Sequence, residues 1–201
     1  MSRNAILWSV VFGAVFIWSA IDPRDRLTWL LEVAPALGGA LVLAATHRRF
    51  PLTPLSYWLV LIHCCILMVG GHYTYAEVPA FDWLGDALGW QRNNYDKLGH
   101  LAQGLVPAIL AREVLIRQQV VRGTAWRDLL VVCFCLALSA FYELLEWWVA
   151  LLAGAASEEF LGTQGYVWDT QSDMAWALFG ALLALIALGR WHDRQLGRLG
   201  A

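Results

Sequence analysis

Charge is what this sequence has least of. Only 15% of its 201 residues are Asp, Glu, Lys or Arg, against roughly 25% in a soluble domain. That shortage, with 59% apolar residues and a mean hydropathy of +0.54, excludes an ordinary water-soluble globule. There is no basic excess either. Fourteen Lys and Arg stand against 16 Asp and Glu, a formal net charge of -2, so the chain lacks the electrostatic footprint of a nucleic-acid binder. Cysteines are few, and Cys64, Cys65, Cys133 and Cys135 all fall inside apolar runs. Their spacing is neither a disulfide framework nor a zinc finger, and they read as small packing residues. No repeat or low-complexity segment interrupts the chain, and its length is too short for two large soluble domains.

What the sequence does have is long apolar runs. Six are candidate membrane spans, at about 4–21, 27–46, 55–73, 95–117, 126–151 and 170–191. Each is long enough to cross a hydrocarbon core of about 30 Å at 1.5 Å per residue. The first could pass for a signal peptide. However, only Arg3 precedes it, and Trp18-Ser19-Ala20 is a poor cleavage site because a bulky residue stands two before Ala20. It reads as a retained helix. Asp22-Pro23-Arg24-Asp25 and His47-Arg48-Arg49-Phe50-Pro51 separate the first three runs. Trp29, Trp58, Trp126, Trp147, Trp148 and Trp191 lie near run ends, as an aromatic belt requires. The expected fold is an all-α integral membrane bundle of six transmembrane helices, one domain over 1–201.

Orientation follows from the basic residues. Arg3, Arg48, Arg49, Arg112, Arg117, Arg122, Arg127, Arg190, Arg194 and Arg198 fall on one side of a six-span arrangement. Arg24, Arg26, Arg92 and Lys97 fall on the other. The ten-to-four bias makes the richer side cytoplasmic and predicts that both termini are cytoplasmic. Five or seven spans would break the alternation. The outer loops then run about 74–94 and 152–169. The first carries Phe81, Trp83, Leu84, Leu88 and Trp90 and is expected to lie on the membrane surface. Gly38-Gly39 and Gly70-Gly71 are places where helices can approach, within one chain or between chains.

Ionisable residues inside spans are costly and need a reason. In the fourth span Asp96, His100 and Gln103 are spaced i, i+4, i+7 and share one face, with His100 about 8 Å below the outer end. In the fifth, Ser139, Glu143 and Glu146 form a second polar face beside Tyr142. The sixth opens with Asp169 and Asp173 one turn apart, and the same stripe continues to Gly180, where another helix could come close. Glu32 and His72 lie at a similar depth, and His63 is deeper. His63 and His72 fall on opposite faces and are not a natural pair. Each residue also has a plain structural reading. Asp96 and Asp169 suit helix caps, and His100 suits a neutral histidine bonded to a glutamate. Glu143 and Glu146 resist such a reading, because two carboxylates one turn apart in hydrocarbon repel unless a proton, a cation or a metal lies between them.

Arg92-Asn93-Asn94-Tyr95-Asp96-Lys97-Leu98-Gly99-His100, Tyr142-Glu143-Leu144-Leu145-Glu146-Trp147-Trp148, Gly162-Thr163-Gln164-Gly165 and Trp168-Asp169-Thr170-Gln171-Ser172-Asp173-Met174 together resemble the YjdF-type bacterial inner-membrane proteins. The resemblance covers about Arg92 to Gly180. It implies a multi-pass protein of the bacterial inner membrane and supplies no activity. A more distant likeness, to the VanZ-like proteins linked to glycopeptide resistance, rests on Asp96, Lys97 and His100 with the later Asp173 and Gly180. Those proteins tend to place an Asn between the last two, where this chain has Ala177. The likeness implies shared architecture rather than a shared role in resistance.

Three functions compete. The first is an outward-facing membrane enzyme built on His100, Glu143, Glu146, Asp169, Asp173 and Asp96. Here His100, Glu143, Glu146 and Asp173 ligate a hard or borderline divalent metal, Asp96 orients His100, and Asp169 serves as a base. Its substrate would be a lipid head group or an envelope intermediate, met at head-group depth in the bilayer. The second is proton or cation transport, although the inner half offers little beyond His63 and the Arg112/Glu113 pair. The third is a noncatalytic assembly or sensing module, held by hydrogen bonds to Gln103, Gln164, Gln171 and Tyr142. The sequence names no protein partner.

Overall fold

The computed structural model describes residues 3–153, 160 and 163–199. Among them every regular element is helical: α1 (Arg3–Ala20), α2 (Arg26–Thr46), α3 (Pro54–Tyr73), α4 (Pro79–Leu88), α5 (Tyr95–Arg117), α6 (Thr124–Ala153), α7 (Asp169–Leu183) and α8 (Gly189–Arg198). A π turn at Ala184–Leu188 joins the last two, so the final helix runs on to Arg198, past the expected end at 191. The other boundaries fall within two residues of those expected. The second outer connection and Gly162 lie partly or wholly outside the described residues.

Local chemistry accounts for the helix starts. The Asp25 carboxylate accepts the Thr28 N–H at 2.7 Å and caps α2, and this bond holds the acid below the ordinary carboxylate range. Thr53 caps α3 just before Pro54. The outer segment read as a loop on the membrane surface contains a helix, α4. Pro79 starts it, and Gly89 ends it in a left-handed conformation (φ 70°). Its Trp83 and Leu88 side chains point away from the protein, as a helix lying in the interface requires.

Among the described residues five helices are long and apolar enough to cross a membrane: α1, α2, α3, α6 and the continuous Asp169–Arg198 rod. The sequence reading made six. The difference is α5, which at 23 residues has the length but carries Asp96, Lys97, Arg112, Glu113 and Arg117 at its two ends. It is the central helix, packed most closely on α7 and also against α3 and α6. α1 and α2 lean on α3. Two apolar clusters fill the waist of the bundle. One joins Leu55, Ile109, Val131 and Cys135, and the other joins Val33, Val60, Cys64 and Met68. Cys64 and Cys135 are thus buried packing residues, as their surroundings in the sequence suggested.

Helices gain little from hydrophobic association in lipid, so close van der Waals contact must hold them together. Between α5 and α7 the backbones touch. A β-carbon on Gly104 would run into the Ala177 carbonyl, and one on Gly180 would run into the Leu101 carbonyl. The approach expected at Gly180 is therefore present. Of the paired glycines, Gly71 sits against Val33 and Glu32 of α2 and Gly70 against the Tyr75 ring, while Gly38 and Gly39 have open space. Gly104→Val and Gly180→Val should each destabilise the purified protein by at least about 1–3 kcal/mol, the usual cost of overpacking. Gly38→Ala should melt like wild type. A wild-type melting temperature for both valine variants would refute the α5–α7 contact.

Candidate functional site

The polar stripes of α5, α6 and α7 converge where α5 and α7 begin. Asp96, Gly99, His100, Gln103 and Pro107 of α5 border a cavity of about 150 Å³. Glu32 and Pro35 of α2, His63 of α3, Tyr75, and Tyr142 and Glu146 of α6 close it. Pro35 and Pro107 are both interior to helices, so neither can donate to the carbonyl one turn back, Leu31 or Gln103 respectively.

His100 is the focus. Its Nδ1 lies 3.0 Å from Gln103 Oε1. That oxygen can only accept, so Nδ1 carries a hydrogen and donates. The other ring nitrogen, Nε2, lies 3.2 Å from Asp96 Oδ1, 3.9 Å from Glu143 Oε1 and 4.0 Å from Asp173 Oδ2. Every one of these neighbours is an acceptor. A bare lone pair on Nε2 would face three carboxylates, so the group requires a shared cation, a proton or a metal. Asp96, His100 and Asp173 can each offer a ligand atom within 4.8 Å of the others. Glu143 Oε1 is buried and has no hydrogen-bond partner among the described residues, and one turn deeper Ser139 Oγ is in the same position. Glu146 stands on the cavity wall, and Glu32 is buried there with the Tyr142 hydroxyl donating to it at 3.3 Å.

The other half of the site is a cation to which the sequence assigned no ligand or catalytic role. Lys97 is the chain's single lysine, and it is buried. Its ammonium donates to Asp173 Oδ1 at 2.5 Å, Asp169 Oδ1 at 3.0 Å and Asp96 Oδ2 at 3.4 Å. Arg92 donates to the same Asp169 oxygen at 2.7 Å and lies 3.9 Å from Asp96. Asp169 is thus held between two cations. Even with both, Glu32, Asp96, Glu143, Glu146, Asp169 and Asp173 outnumber the fixed positive charges of this region.

The motifs flanking the helices brace the site. Asn93 donates to the Val78 carbonyl at 3.0 Å and Asp82 at 2.7 Å, tying α5 to α4. Gln164 accepts from the Asn93 N–H at 3.0 Å and donates to the Asn93 carbonyl at 2.9 Å. It does so from a left-handed turn shared with Gly165. Gln171 is exposed. His72 lies apart, with Nδ1 3.2 Å from the Ser19 carbonyl oxygen and its ring against Trp18.

A second polar cluster, at the opposite end of α5, was visible in sequence only as the Arg112/Glu113 pair. Glu113 is fully buried. It accepts from the Thr53 N–H and hydroxyl, both at 2.9 Å, from Ser56 at 2.6 Å and from Arg117 at 3.0 Å. His192 Nε2 adds a bond at 3.2 Å, and Arg112 bridges His192 and Asp193. The spacing of Thr53, Glu113 and His192 along the chain carries no signal that they meet.

No solved structure matches this chain. The inner membrane protein YjdF of Escherichia coli (strain K12) is 55% identical over 186 residues, spanning 92% of this chain and 89% of the relative. The expected resemblance therefore holds, and this is a multi-pass protein of the bacterial inner membrane. Residues 4–194 match the family described as "Predicted membrane protein (DUF2238)", and the chain belongs to that family.

Proposed function

We propose that this protein is a six-span membrane enzyme with cytoplasmic termini. In this reading its outer site binds one divalent cation and acts on a lipid head group or an envelope intermediate. The observation that carries the reading is His100 Nε2, buried and facing carboxylate oxygens of Asp96, Glu143 and Asp173. One nitrogen among hard oxygen donors suits a hard or borderline divalent ion. His100, Asp96 and Asp173 would be the nearest ligands, with Glu143 completing the set and Glu146 reaching in from the cavity wall. Gln103 would fix the histidine tautomer from behind. Bound there, the ion would polarise a phosphoryl or carbonyl oxygen of the substrate. Asp169, tied to Arg92 and Lys97, serves to position those cations and is a poor candidate for a base.

α5 counts as the sixth span in this reading. Its charges sit at the two ends, and its flanks are covered by α3, α6 and α7. The ten-to-four distribution of basic residues supports cytoplasmic termini. Transport is less well supported, because the apolar waist separates the two polar ends and no described polar chain joins them.

One observation favours a noncatalytic reading. Lys97 links Asp96, Asp169 and Asp173, the kind of hub that fixes helices together. Lys97→Met should therefore be destabilising by about 3–5 kcal/mol, as expected when buried carboxylates lose their partner. Adding Asp173→Asn should restore part of the loss. A wild-type melting temperature for Lys97→Met would remove the hub.

Metal analysis separates the two readings. Protein purified without chelators should hold about one equivalent of a divalent ion, and Asp96→Asn/Asp173→Asn should lose at least tenfold in affinity. If wild-type protein carries no stoichiometric metal and added Mg²⁺, Mn²⁺ or Zn²⁺ leaves its melting unchanged, the enzyme reading fails. Topology has its own test. A fluorescent protein fused at the C-terminus should fluoresce, and alkaline phosphatase fused after Gly89 should be active. The reverse pattern would overturn the orientation.

A further inference from the structure

On the far side of Lys97 from the acidic cavity lies a second, larger hollow of about 540 Å³. The first turns of α5 form the partition. Asp96, Gly99, His100 and Gln103 face the acidic cavity, whereas Asn94, Lys97, Leu98 and Leu101 face this groove. Phe81 and Leu84 of α4 and Trp90 form another wall, and Tyr166, Ser172 and Trp176 complete it. The polar lining differs in kind from that of the cavity. Among the described residues its ionisable groups are Arg92, Lys97 and the Tyr166 phenol, with no carboxylate in the lining. Lys97 has a side chain only 9% exposed, and the Arg92 side chain is 14% exposed. Both cations sit over the Tyr166 ring, Arg92 at 5.5 Å and Lys97 at 5.8 Å from its centroid. Their carboxylate partners, Asp96, Asp169 and Asp173, anchor them from outside the groove.

The rest of the groove lining is mainly apolar. Trp90 and Trp176 are exposed on its rim, and Leu98 and Leu101 line its floor. Trp83 of the neighbouring α4 is 72% exposed. Donors at one end, an aliphatic floor and a tryptophan rim at a helix end match the layout of a phospholipid, with its phosphate at the interface and its chain in hydrocarbon.

We propose that this groove binds a membrane glycerophospholipid, its phosphate held by Arg92 and Lys97 with Asn94 and Ser172 in support, and one acyl chain lying along Leu98, Leu101 and Trp176. This names the lipid class for the site read above as lipid-directed, and rests on that reading only for the link to catalysis. It places the phosphate one helix turn from His100, with Lys97 shared between the two.

Lipid adducts on purified protein, measured by native mass spectrometry with a chelator present, test the proposal without any metal. Dioleoylphosphatidylglycerol should bind at least tenfold more tightly than dioleoylglycerol, which lacks the phosphate. Leu98→Trp fills the groove without touching an ion pair and should weaken phosphatidylglycerol binding about tenfold. Trp176→Ala, on the rim, should weaken it about threefold and serves if Leu98→Trp fails to fold. Equal binding of the two lipids, or wild-type binding by folded groove variants, would overturn the proposal. Displacement of the lipid by millimolar inorganic phosphate would also overturn it, because the ligand would then be soluble phosphate. A positive result together with metal-free protein would leave the lipid site standing and sink the metal reading alone.

Discussion

Two backbones in contact make the site at the start of α5 and α7 possible. Because Gly104 and Gly180 carry no side chain, α5 and α7 approach until the carbonyls of Ala177 and Leu101 fill the space a β-carbon would take. Only at that separation can the short carboxylates of Asp169 and Asp173 reach the ammonium of Lys97. In hydrocarbon, isolated charges carry a desolvation cost of several kcal/mol. The close contact thus decides whether Glu32, Glu143, Asp169 and Asp173 can be buried beside Asp96 and Glu146 at all.

The same contact explains why α5 looks unlike a membrane helix. Its charges are matched by groups on its neighbours rather than by solvent. At its N-terminal end Lys97 and Arg92 meet Asp96, Asp169 and Asp173. At the other end Glu113 takes every hydrogen bond its two oxygens can use, from Thr53, Ser56, Arg117 and His192. The two clusters differ in what they leave over. Glu113 is saturated and acts as a staple between α3, α5 and α8. His100 Nε2 faces carboxylate acceptors and Glu143 Oε1 has no hydrogen-bond partner among the described residues, an arrangement that a proton or a bound cation would satisfy. An apolar waist lies between the two clusters.

Lys97 and its neighbours give α5 two chemically opposite faces in its first turns. One face presents acids and a histidine to the smaller cavity. The other presents cations and aliphatic carbons to the larger groove. A single buried lysine belongs to both, so its ion pairs join the proposed lipid phosphate site to the proposed metal site.

Much of this was legible in the sequence, because helical spans and stripes are local properties. An apolar run of about 20 residues must satisfy its backbone internally, so it is helical in a membrane. Spacing of three, four and seven puts Asp96, His100 and Gln103 on one face whatever surrounds them. Hence most helix boundaries, the three polar stripes and the small-residue contact at Gly180 followed from spacing alone, whereas α4 and the run of the last helix to Arg198 did not. The tertiary structure decided which stripes meet, and with what. Glu32 and Tyr75 joined the cavity, Lys97 and Arg92 proved to be the partners of Asp169, Gln171 turned outward, and His192 closed on Glu113 across 79 residues of chain. Those outcomes depend on the rotation and depth of each helix relative to the others, set by packing between segments, which the spacing within a segment does not encode.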